Sequence, residues 1–391
     1  EVMCQEAPIR IYELEHWGAP FSRMPDGRLD QRPFGGADYP RTCYAADRTG
    51  HALMHTLYQQ TIKRQVQVYN EWMALSLVVA GGRCRGAIAL SVSTGEIEAF
   101  AAEAVILGVG GAGRIYGLST NAHINSGYPF AMAYWAGVPL KDMEFIQFHP
   151  TALPGTGILI TEGARGEGGY LLNNKGERFM RNYAPTKMEL APRDIVSRAI
   201  QTEIDEGRGF PPGAIHLDIR HLGRERILEV LPGIREICIK FLGFDPTDKP
   251  IPIRPGQHYT MGGIDTDVWG ATPVPGIFAA GECACVSVHG GNRLGGNSLL
   301  DTVVFGQRSG QRAAEYVLGM EIPKDSQQAL ESALKEEQDR VAALLARDRT
   351  HLPATIREKL TSTMSEQVGI FREPKPMQSA LDTIRTLREE Y

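Results

Sequence analysis

Five cationic or imidazole side chains lie far apart in the middle of the chain, each inside a short patterned motif. Three are guanidiniums and two are imidazoles. If folding brought them together, they would hold a small dianion by charge-assisted, partly bidentate hydrogen bonds. A dicarboxylate is the ligand that this set predicts. The five residues are His149, Arg165, Arg193, His258 and Arg293.

Each of these residues also has a plain structural interpretation when it is taken alone. Arg193 precedes Asp194, which fits an ordinary ion pair. His149 and His258 both fit histidines whose hydrogen bonds are satisfied in a core. Only the joint pattern favours a binding site over these separate explanations.

Histidines and cysteines raise the question of a metal site. Cys283, Cys285 and His289 lie close in sequence, but none of them has the spacing of ligands within one helix or knuckle, so we predict no metal. His51 and His55 have the i, i+4 spacing of a zinc pair. Their setting is better interpreted as a helix that packs near a cofactor.

Composition limits the possible classes of protein. A chain of 391 residues with 42% hydrophobic and 22% charged residues predicts a folded protein of two or three domains. A net charge of -5 without a basic tract predicts no nucleic-acid partner. The six dispersed cysteines predict reduced thiols. No apolar run reaches the ~18 residues of a membrane span, so we expect any membrane attachment to come from another chain.

The pattern of apolar and turn residues predicts the elements that must position these side chains. Residues 143–255 mix short strands, helices and loops and favour an α+β region, with a hairpin turn at 173–176. Elsewhere we predict a β-meander over 74–80 and 86–92, a buried strand at 104–107, a strand at 276–280, a long helix from 297–298 to about 318, and charged helices over 326–391.

Two glycine-rich sites are candidates for binding a cofactor. Residues 108–113 match the G-x-G-x-x-G spacing after a strand, but a poor helix opening follows, so an ordinary tight turn remains an alternative. At the second site, Glu282 ends a strand, and Ser298 lies where a helix begins. A carboxylate there can accept hydrogen bonds from sugar-like hydroxyls, and free helix amides stabilise an anion such as a reduced flavin. A solvated acid and a simple helix cap are the alternatives.

Several long motifs, in the right order, resemble the flavoprotein subunit of succinate dehydrogenase and quinol:fumarate reductase. The resemblance extends over nearly the whole chain. The motifs are RTCYAADRTGH (41–51), TEGARGEGG (161–169), HYTMGG (258–263), GECACVSVHGGNRLGGNSLL (281–300) and GIFR (369–372).

The resemblance implies an α/β fold with an FAD-binding Rossmann-like domain, an inserted α+β capping domain and a following helical domain. It assigns residues 1–142 and 256–320 to the FAD-binding domain without its first βαβ unit, residues 143–255 to the cap, and residues 321–391 to an incomplete helical domain. The insertion would explain why the charged motifs are scattered. Substrate would lie at the flavin, between the cap and the flavin domain.

The resemblance also implies a role for each site residue in interconverting succinate and fumarate by hydride transfer to FAD. Arg193 would carry the proton, with Glu162 and Arg165 as its relay. The expected dicarboxylate ligands are His149, Thr161, His258 and Arg293. The expected FAD contacts are Gly110, Gly111, Glu282, Ser298 and Leu299.

The chain departs from the family pattern at positions that bear on the flavin. Both ends look like cuts, so we expect the first dinucleotide unit and a flavin-linking histidine to lie outside these residues. Gly127-Tyr128-Pro129 replaces the usual Gly-Asp-Gly and removes a carboxylate expected near the cofactor. Gly108-Val109-Gly110 replaces the usual Ala-Thr-Gly.

Three hypotheses follow from the resemblance and its departures. In the first, the chain is the catalytic subunit of a succinate:quinone oxidoreductase. An iron-sulfur subunit and a membrane anchor would then hold it on the cytoplasmic or matrix face of the inner membrane. In the second, it is a soluble fumarate reductase or an L-aspartate oxidase-like flavoenzyme. In the third, it is a non-catalytic scaffold that has lost FAD. The segment 281–290 favours the first.

Overall fold

The structure is a computed structural model that describes residues 1–35, 37, 39–319, 326–348 and 351–391. Within these residues the chain forms short mixed sheets and longer helices. The strands are β1 (Gln31–Arg32), β2 (Thr42–Cys43), β3 (Trp72–Ala80), β4 (Arg83–Ser91), β5 (Ile97–Ala101), β6 (Val105–Leu107), β7 (Leu140–Lys141), β8 (Ile146–Ala152), β9 (Tyr170–Leu172), β10 (Ile215–Asp218), β11 (Ile251–Thr260), β12 (Gly263–Asp265), β13 (Ile277–Ala279) and β14 (Ala284–Cys285).

The helices include two single turns beside the charged motifs and four long helices toward the end of the chain. They are α1 (Val2–His16), α2 (Thr49–Lys63), α3 (Tyr128–Trp135), α4 (Gly163–Gly166), α5 (Met180–Tyr183), α6 (Arg193–Asp205), α7 (Arg224–Val230), α8 (Pro232–Leu242), α9 (Asn297–Leu318), α10 (Ser326–Leu345), α11 (Pro353–Gln367) and α12 (Pro374–Glu390). Short 3-10 turns lie at Gly113–Ile115, Met188–Leu190, Arg220–Leu222 and Gly281–Cys283.

One hydrophobic core belongs to the middle of the chain. Its buried members run from Leu153 to Ile253 and are covered by a sheet in the order β8-β11-β10-β9. The predicted hairpin turn is present, because the amide of Asn173 donates to the carbonyl of Glu177 and Leu172 pairs with Arg178. This region has the predicted α+β character.

A second core joins residues from both sides of that middle region. Its buried members extend from Leu77 to Ala133 and Val138, and from Ile264 to Cys283. Parallel β6 and β13 lie side by side within it. Because parallel strands present their carboxyl ends at one edge, the loop after β6 meets the turn after β13 there.

The sequence predicted most of these elements. The meander is present as antiparallel β3-β4-β5, the long helix is α9, and α10 to α12 form the charged helical end. The strand predicted at 104–107 is shorter and is not fully buried: Ile106 is 44% exposed. That part of the prediction was wrong, because an apolar run alone does not show which face of a strand is covered.

The domain boundaries stay predictions. The boundary at 255/256 falls within β11, which continues without a break from one core toward the other. Residues 320 to 325, where the boundary at 320/321 was placed, lie outside the described residues. Beyond them, α10 packs on the meander through Leu330, which meets Val78 and Ile88.

Candidate active site

Two adjacent antiparallel strands bring the two imidazoles together. His149 on β8 faces Gly256 on β11, and the register then shifts between Gln257 and Tyr259, so His258 is the extra residue of a bulge. A bulge redirects the side chain at its position. The rings of His149 and His258 consequently lie 4.9 Å apart between centroids, at 62°.

Both imidazoles are held in the neutral form. Burial, followed by the positive charge of Arg193, lowers the pKa of His149 well below its usual 6.5. Burial, Arg193 and Arg293 do the same to the pKa of His258. A neutral imidazole carries one N–H, so each histidine can donate one hydrogen bond to an anion.

One side of the site, here called the cap side, has a carboxylate between two arginines: Glu162 lies between Arg193 and Arg165. Glu162 accepts from Arg193 Nε at 2.8 Å and lies 2.7 Å from Arg193 Nη2. Arg165 Nη2 is 3.9 Å from the same Oε2 atom. The three residues are 2%, 7% and 1% exposed, in the order Glu162, Arg193, Arg165. A chain of ionic groups therefore leads from the site into the protein interior.

Local sequence explains how this chain of charges is built. Arg193 is the first residue of α6, after Pro192, whose ring suits a helix start. Arg165 lies on the single turn α4, which follows Glu162 directly. The i, i+3 spacing of Glu162 and Arg165 places both on one side of that turn.

Opposing effects set the charges of this group. Burial alone raises the pKa of Glu162, but the charges of Arg193 and Arg165 outweigh it and hold that pKa below its usual value. Burial lowers the pKa of Arg165, against the attraction of Glu162. Glu162 is therefore an ionised proton acceptor between two guanidiniums.

Arg293 faces this group from the other side and has few partners of its own. It is 2% exposed, and its guanidinium lies 4.4 Å from the centroid of the Tyr259 ring. Its Nη1 donates to the carbonyl of Leu294 and to Ser298 Oγ, whereas its buried Nε has no partner. Burial, then Arg193, lowers its pKa to about 9. The negative charge of a bound anion would stabilise the charged form of Arg293 and so oppose this lowering of its pKa.

No ion pair among the described residues includes Arg293, which distinguishes it from Arg193 and Arg165. A buried cation without a carboxylate partner is costly unless a ligand supplies the charge. This arrangement is typical of a site that receives an anion.

Gln147 connects the two sides and was missed by the sequence analysis. Its Nε2 donates to the carbonyl of Arg293 at 2.7 Å and to Asn292 Oδ1 at 2.8 Å, and its Oε1 accepts from Arg193 at 3.1 Å. Asn292 also donates to Asp194. The signal was available, because Gln147 lies two residues before His149 on one strand and so shares its face.

A second missed group supports Arg293 from below. The Tyr259 hydroxyl donates to Asp301 Oδ2 at 3.2 Å, and His289 Nε2 lies 3.1 Å from the same oxygen. Burial and the Asp301 charge raise the pKa of Tyr259 well above 10. His289, weighed above as a metal ligand, is instead a partner of this buried pair.

Thr161 lies just before the turn that carries Arg165. Its Oγ1 accepts from the backbone amide of Gly163 at 3.3 Å. The proton of that hydroxyl remains available to an acceptor such as a substrate carboxylate.

The proposed cofactor contacts meet at the edge where β6 and β13 end. A Cβ on Gly111 would lie only 2.1 Å from Glu282 Oε1, so the backbone approaches the carboxylate as only glycine allows. Glu282 accepts from the amide of Thr260 at 3.0 Å. Gly110 has a φ of +70°. Burial raises the pKa of Glu282 to about 7, so it gains from a hydroxyl partner.

The helix beginning at Asn297 completes this edge. Gly296 precedes it with a φ of +83°, and no described side chain caps its N-terminus. Ser298 Oγ accepts from Arg293, and Leu299 packs beside Leu53 and Gly50. An uncapped helix start, close glycine backbone and a buried acid fit the hydroxyl and anionic groups of a flavin dinucleotide.

The departure at position 128 is accommodated away from this edge. The Tyr128 hydroxyl donates to the carbonyl of Leu75 on β3 at 2.6 Å, and its ring meets Trp135 edge-on. Gly127 keeps a φ of +81°, where a Cβ would lie 3.1 Å from Ala112. The backbone turn is thus kept, while the side chain packs against the meander.

The described residues contain no group of three or more potential metal ligands. His51 and His55 lie with their Nε2 atoms 3.0 Å apart on α2. All six cysteines are free. No described helix is long and apolar enough to cross a membrane.

Comparison with known proteins agrees with the geometry. The FAD binding domain family matches residues 1–299. The chain is 45% identical to the succinate dehydrogenase flavoprotein subunit of Coxiella burnetii, covering 100% of this chain and 69% of that protein. It is also 45% identical to the fumarate reductase flavoprotein subunit of Mycobacterium tuberculosis, covering 100% and 70%. An E. coli quinol fumarate reductase structure superposes with a TM-score of 0.95 at 41% identity, over 99% of this chain and 68% of that chain.

These likenesses confirm the predicted fold class, an α/β FAD-binding domain with an inserted cap and a helical region. The family match and the whole-length identities go well beyond a shared fold. The chain belongs to the family of succinate dehydrogenase and fumarate reductase flavoprotein subunits.

Proposed function

We propose that this protein interconverts succinate and fumarate with FAD as its cofactor. One observation carries the proposal: a buried Arg193-Glu162-Arg165 chain lies opposite two neutral imidazoles and a buried arginine that forms no ion pair with any described residue. A dianion fits the second group, and a proton path fits the first. Both are needed for this reaction.

Four residues would bind the dicarboxylate. Arg293 supplies the charge, and the buried Nε without a partner offers it a donor. His149 and His258 each donate one N–H, because both are neutral, and Thr161 donates its hydroxyl. Charge-assisted bonds of this kind hold a carboxylate in one orientation.

Arg193 would transfer the proton. Succinate loses a hydride from one methylene and a proton from the other, so the proton carrier must face the substrate from the side opposite the hydride acceptor. Two nitrogens of Arg193 lie 2.8 and 2.7 Å from Glu162 Oε2, which suits Glu162 to receive the proton, and Arg165 lies 3.9 Å from the same oxygen. Glu162 and Arg165 would act as the proton relay of Arg193.

The residues at the edge of β6 and β13 would hold FAD. Glu282 would accept hydrogen bonds from sugar-like hydroxyls of the cofactor. Gly110 and Gly111 would let the backbone approach the cofactor closely. Ser298 and Leu299 would present the amides of the α9 start. When bound, FAD would supply the flavin that accepts the hydride and its two electrons.

We further propose that the protein works in a complex. The relatives are named as flavoprotein subunits, and one similar structure, at a TM-score of 0.94, is described as a quinol-fumarate reductase with menaquinol molecules. By analogy, an iron-sulfur subunit would take the electrons, and a membrane anchor would hold the complex at the cytoplasmic or matrix face of the inner membrane.

The test is an assay of the purified full-length protein. We expect a flavin absorption band, succinate-dependent reduction of an artificial dye and competitive inhibition by malonate. A flavin band without turnover of succinate or fumarate would contradict the proposed activity, and the absence of flavin would favour a scaffold. Purification without an iron-sulfur protein would favour a soluble flavoenzyme over the complex.

A further inference from the structure

Hydrogen bonds hold the segment 118–121 beside β11, the strand that carries His258. The amide of Thr120 donates to the carbonyl of Gln257 at 2.9 Å, and the amide of Gln257 donates back to the carbonyl of Leu118 at 2.9 Å. Asn121 Nδ2 donates to the carbonyl of His258 at 3.0 Å. The side chain of Thr120 is therefore held at a fixed place next to the His258 ring.

Thr120 Oγ1 lies 2.7 Å from His258 Nδ1. Because the imidazole is neutral, only one of its nitrogens carries a proton. If that nitrogen is Nδ1, the threonine accepts, and the unprotonated Nε2 repels a carboxylate. If it is Nε2, the threonine donates to Nδ1, and Nε2 donates to the carboxylate. The direction of this one hydrogen bond therefore differs between the form of His258 that attracts the substrate and the form that repels it.

In the neighbouring His149, a different partner places the proton on Nε2. The backbone amide of Thr151 lies 3.2 Å from His149 Nδ1, and an amide can only donate. The Thr151 hydroxyl also approaches this nitrogen, but its proton goes to the carbonyl of Ile160 at 2.7 Å. His149 is therefore fixed by the backbone with its proton on Nε2, whereas His258 depends on a side chain.

We propose that Thr120 is a positioning residue that holds His258 with its proton on Nε2, ready to donate to a substrate carboxylate. The inference rests on the proposed function, because it assigns His258 to a dicarboxylate. It adds Thr120, which touches neither substrate nor flavin in this assignment, to the residues that determine substrate affinity.

The experiment compares Thr120→Val with Thr120→Ser in the intact flavin-loaded protein. Valine keeps the shape without the hydroxyl, so we expect the KM for succinate to rise about tenfold, the effect of one lost hydrogen bond to a charged ligand, while kcat changes less than about threefold. Serine should restore most of the affinity. Thr61→Val is the matched control, because the Thr61 hydroxyl donates to the carbonyl of Leu57 on its own helix α2 and Thr61 is not among the proposed site residues.

A spectroscopic readout tests the inference without turnover. With ¹⁵N-histidine labelling, and the His258 signals assigned by loss in His258→Gln, we expect Nδ1 of the wild-type protein to be unprotonated and Nε2 protonated when malonate is bound. Thr120→Val should shift His258 toward a mixture of the two forms. A wild-type Nδ1 that carries the proton would overturn the inference even if the valine variant does not fold.

The outcomes separate this inference from the function beneath it. Normal succinate turnover with an unchanged KM in Thr120→Val would overturn the role of Thr120 and leave the function intact. Wild-type protein that binds neither succinate nor malonate would overturn both. A Thr120→Ser variant as weak as Thr120→Val would also count against the hydroxyl as the cause.

Discussion

The two sides of the candidate site handle positive charge in opposite ways. On the cap side, Arg193 and Arg165 share the buried carboxylate of Glu162. On the flavin-domain side, Arg293 has a tyrosine ring and two neutral acceptors but no carboxylate. Both sides are buried to a similar extent, so the difference lies in the partners.

This difference in partners suits the two sides to different tasks. In the first group Glu162 offsets one of the two guanidinium charges, and its contacts of 2.8 and 2.7 Å with Arg193 let a proton move between these two residues. A buried cation with incomplete pairing gains most from an incoming anion. We therefore expect Arg193 and Glu162 to determine the rate of the chemical step and Arg293 to determine affinity. Substitutions on each side test this division.

The largest effect is expected for Arg193→Ala. Loss of the proton carrier should lower kcat for succinate oxidation by about 10³-fold to 10⁴-fold, because general acid-base catalysis contributes up to this amount. Bound flavin should remain, since Arg193 is not among the residues proposed to hold it. Dye reduction with succinate measures the rate, and the flavin absorption band measures the cofactor.

Arg198→Ala is the matched control for this prediction. Arg198 lies on the same helix, pairs with Asp194 at 2.8 Å and is 53% exposed, so its loss should leave kcat within about twofold. Near-normal turnover in Arg193→Ala would remove the cap side from the chemistry and would end the proposed division.

Arg293→Ala should chiefly weaken binding. Removing the buried cation deprives a dicarboxylate of its main charged partner, so the dissociation constant for malonate should rise by roughly 10²-fold, as for a buried charged pair that loses one member. Titration of flavin absorbance with malonate measures it. Arg312→Ala on α9, where the side chain is 52% exposed, is the control. An unchanged malonate affinity would contradict the assignment.

At the edge proposed to bind the cofactor, the raised pKa of Glu282 predicts a pH dependence of stability. Its folded-state pKa is about 7, against an ordinary 4.5. Between these values the flavin-free folded protein binds more protons than the unfolded chain, so stability should fall as pH rises through this range. The shift corresponds to at most about 3 kcal/mol of unfolding free energy.

Glu282→Gln should remove this slope. We expect the melting temperature of the flavin-free wild type to decrease from pH 5 to pH 8 relative to that of the variant, and the variant to bind less FAD. Glu98→Gln changes an exposed carboxylate and is the control. Parallel pH curves for wild type and Glu282→Gln would show that burial does not perturb this acid.

The sequence predicted which residues carry charge but not how each is paired. The family resemblance assigned Glu162 and Arg165 to Arg193 as its relay, and the structure brings the three residues together. Their catalytic roles stay predictions. The boundary of the cap also stays a prediction, because β11 belongs to the sheet of one core and leads directly into the other.

Uncharged connecting residues were missed for a physical reason. The side chains of Gln147 and Thr120 form hydrogen bonds with partners from distant segments. The spacing from His149 indicates which face of the strand carries Gln147, but no sequence pattern indicates the partners of either side chain. His289 was considered for a metal, whereas its partner is Asp301 on α9. Neither the bulge at His258 nor the exposed face of Ile106 follows from apolar periodicity.

The smallest effect is expected for Tyr259→Phe. Phenylalanine keeps an aromatic ring under Arg293 but loses the hydroxyl that donates to Asp301, so the ring is less firmly held. We expect malonate affinity to fall by about threefold to tenfold, the range of one buried hydrogen bond, with kcat nearly unchanged. Tyr58→Phe, on exposed α2, is the control. If Tyr259→Phe instead lowered kcat and left affinity alone, support of Arg293 would belong to the chemical step, and the division between the two sides would have to be redrawn.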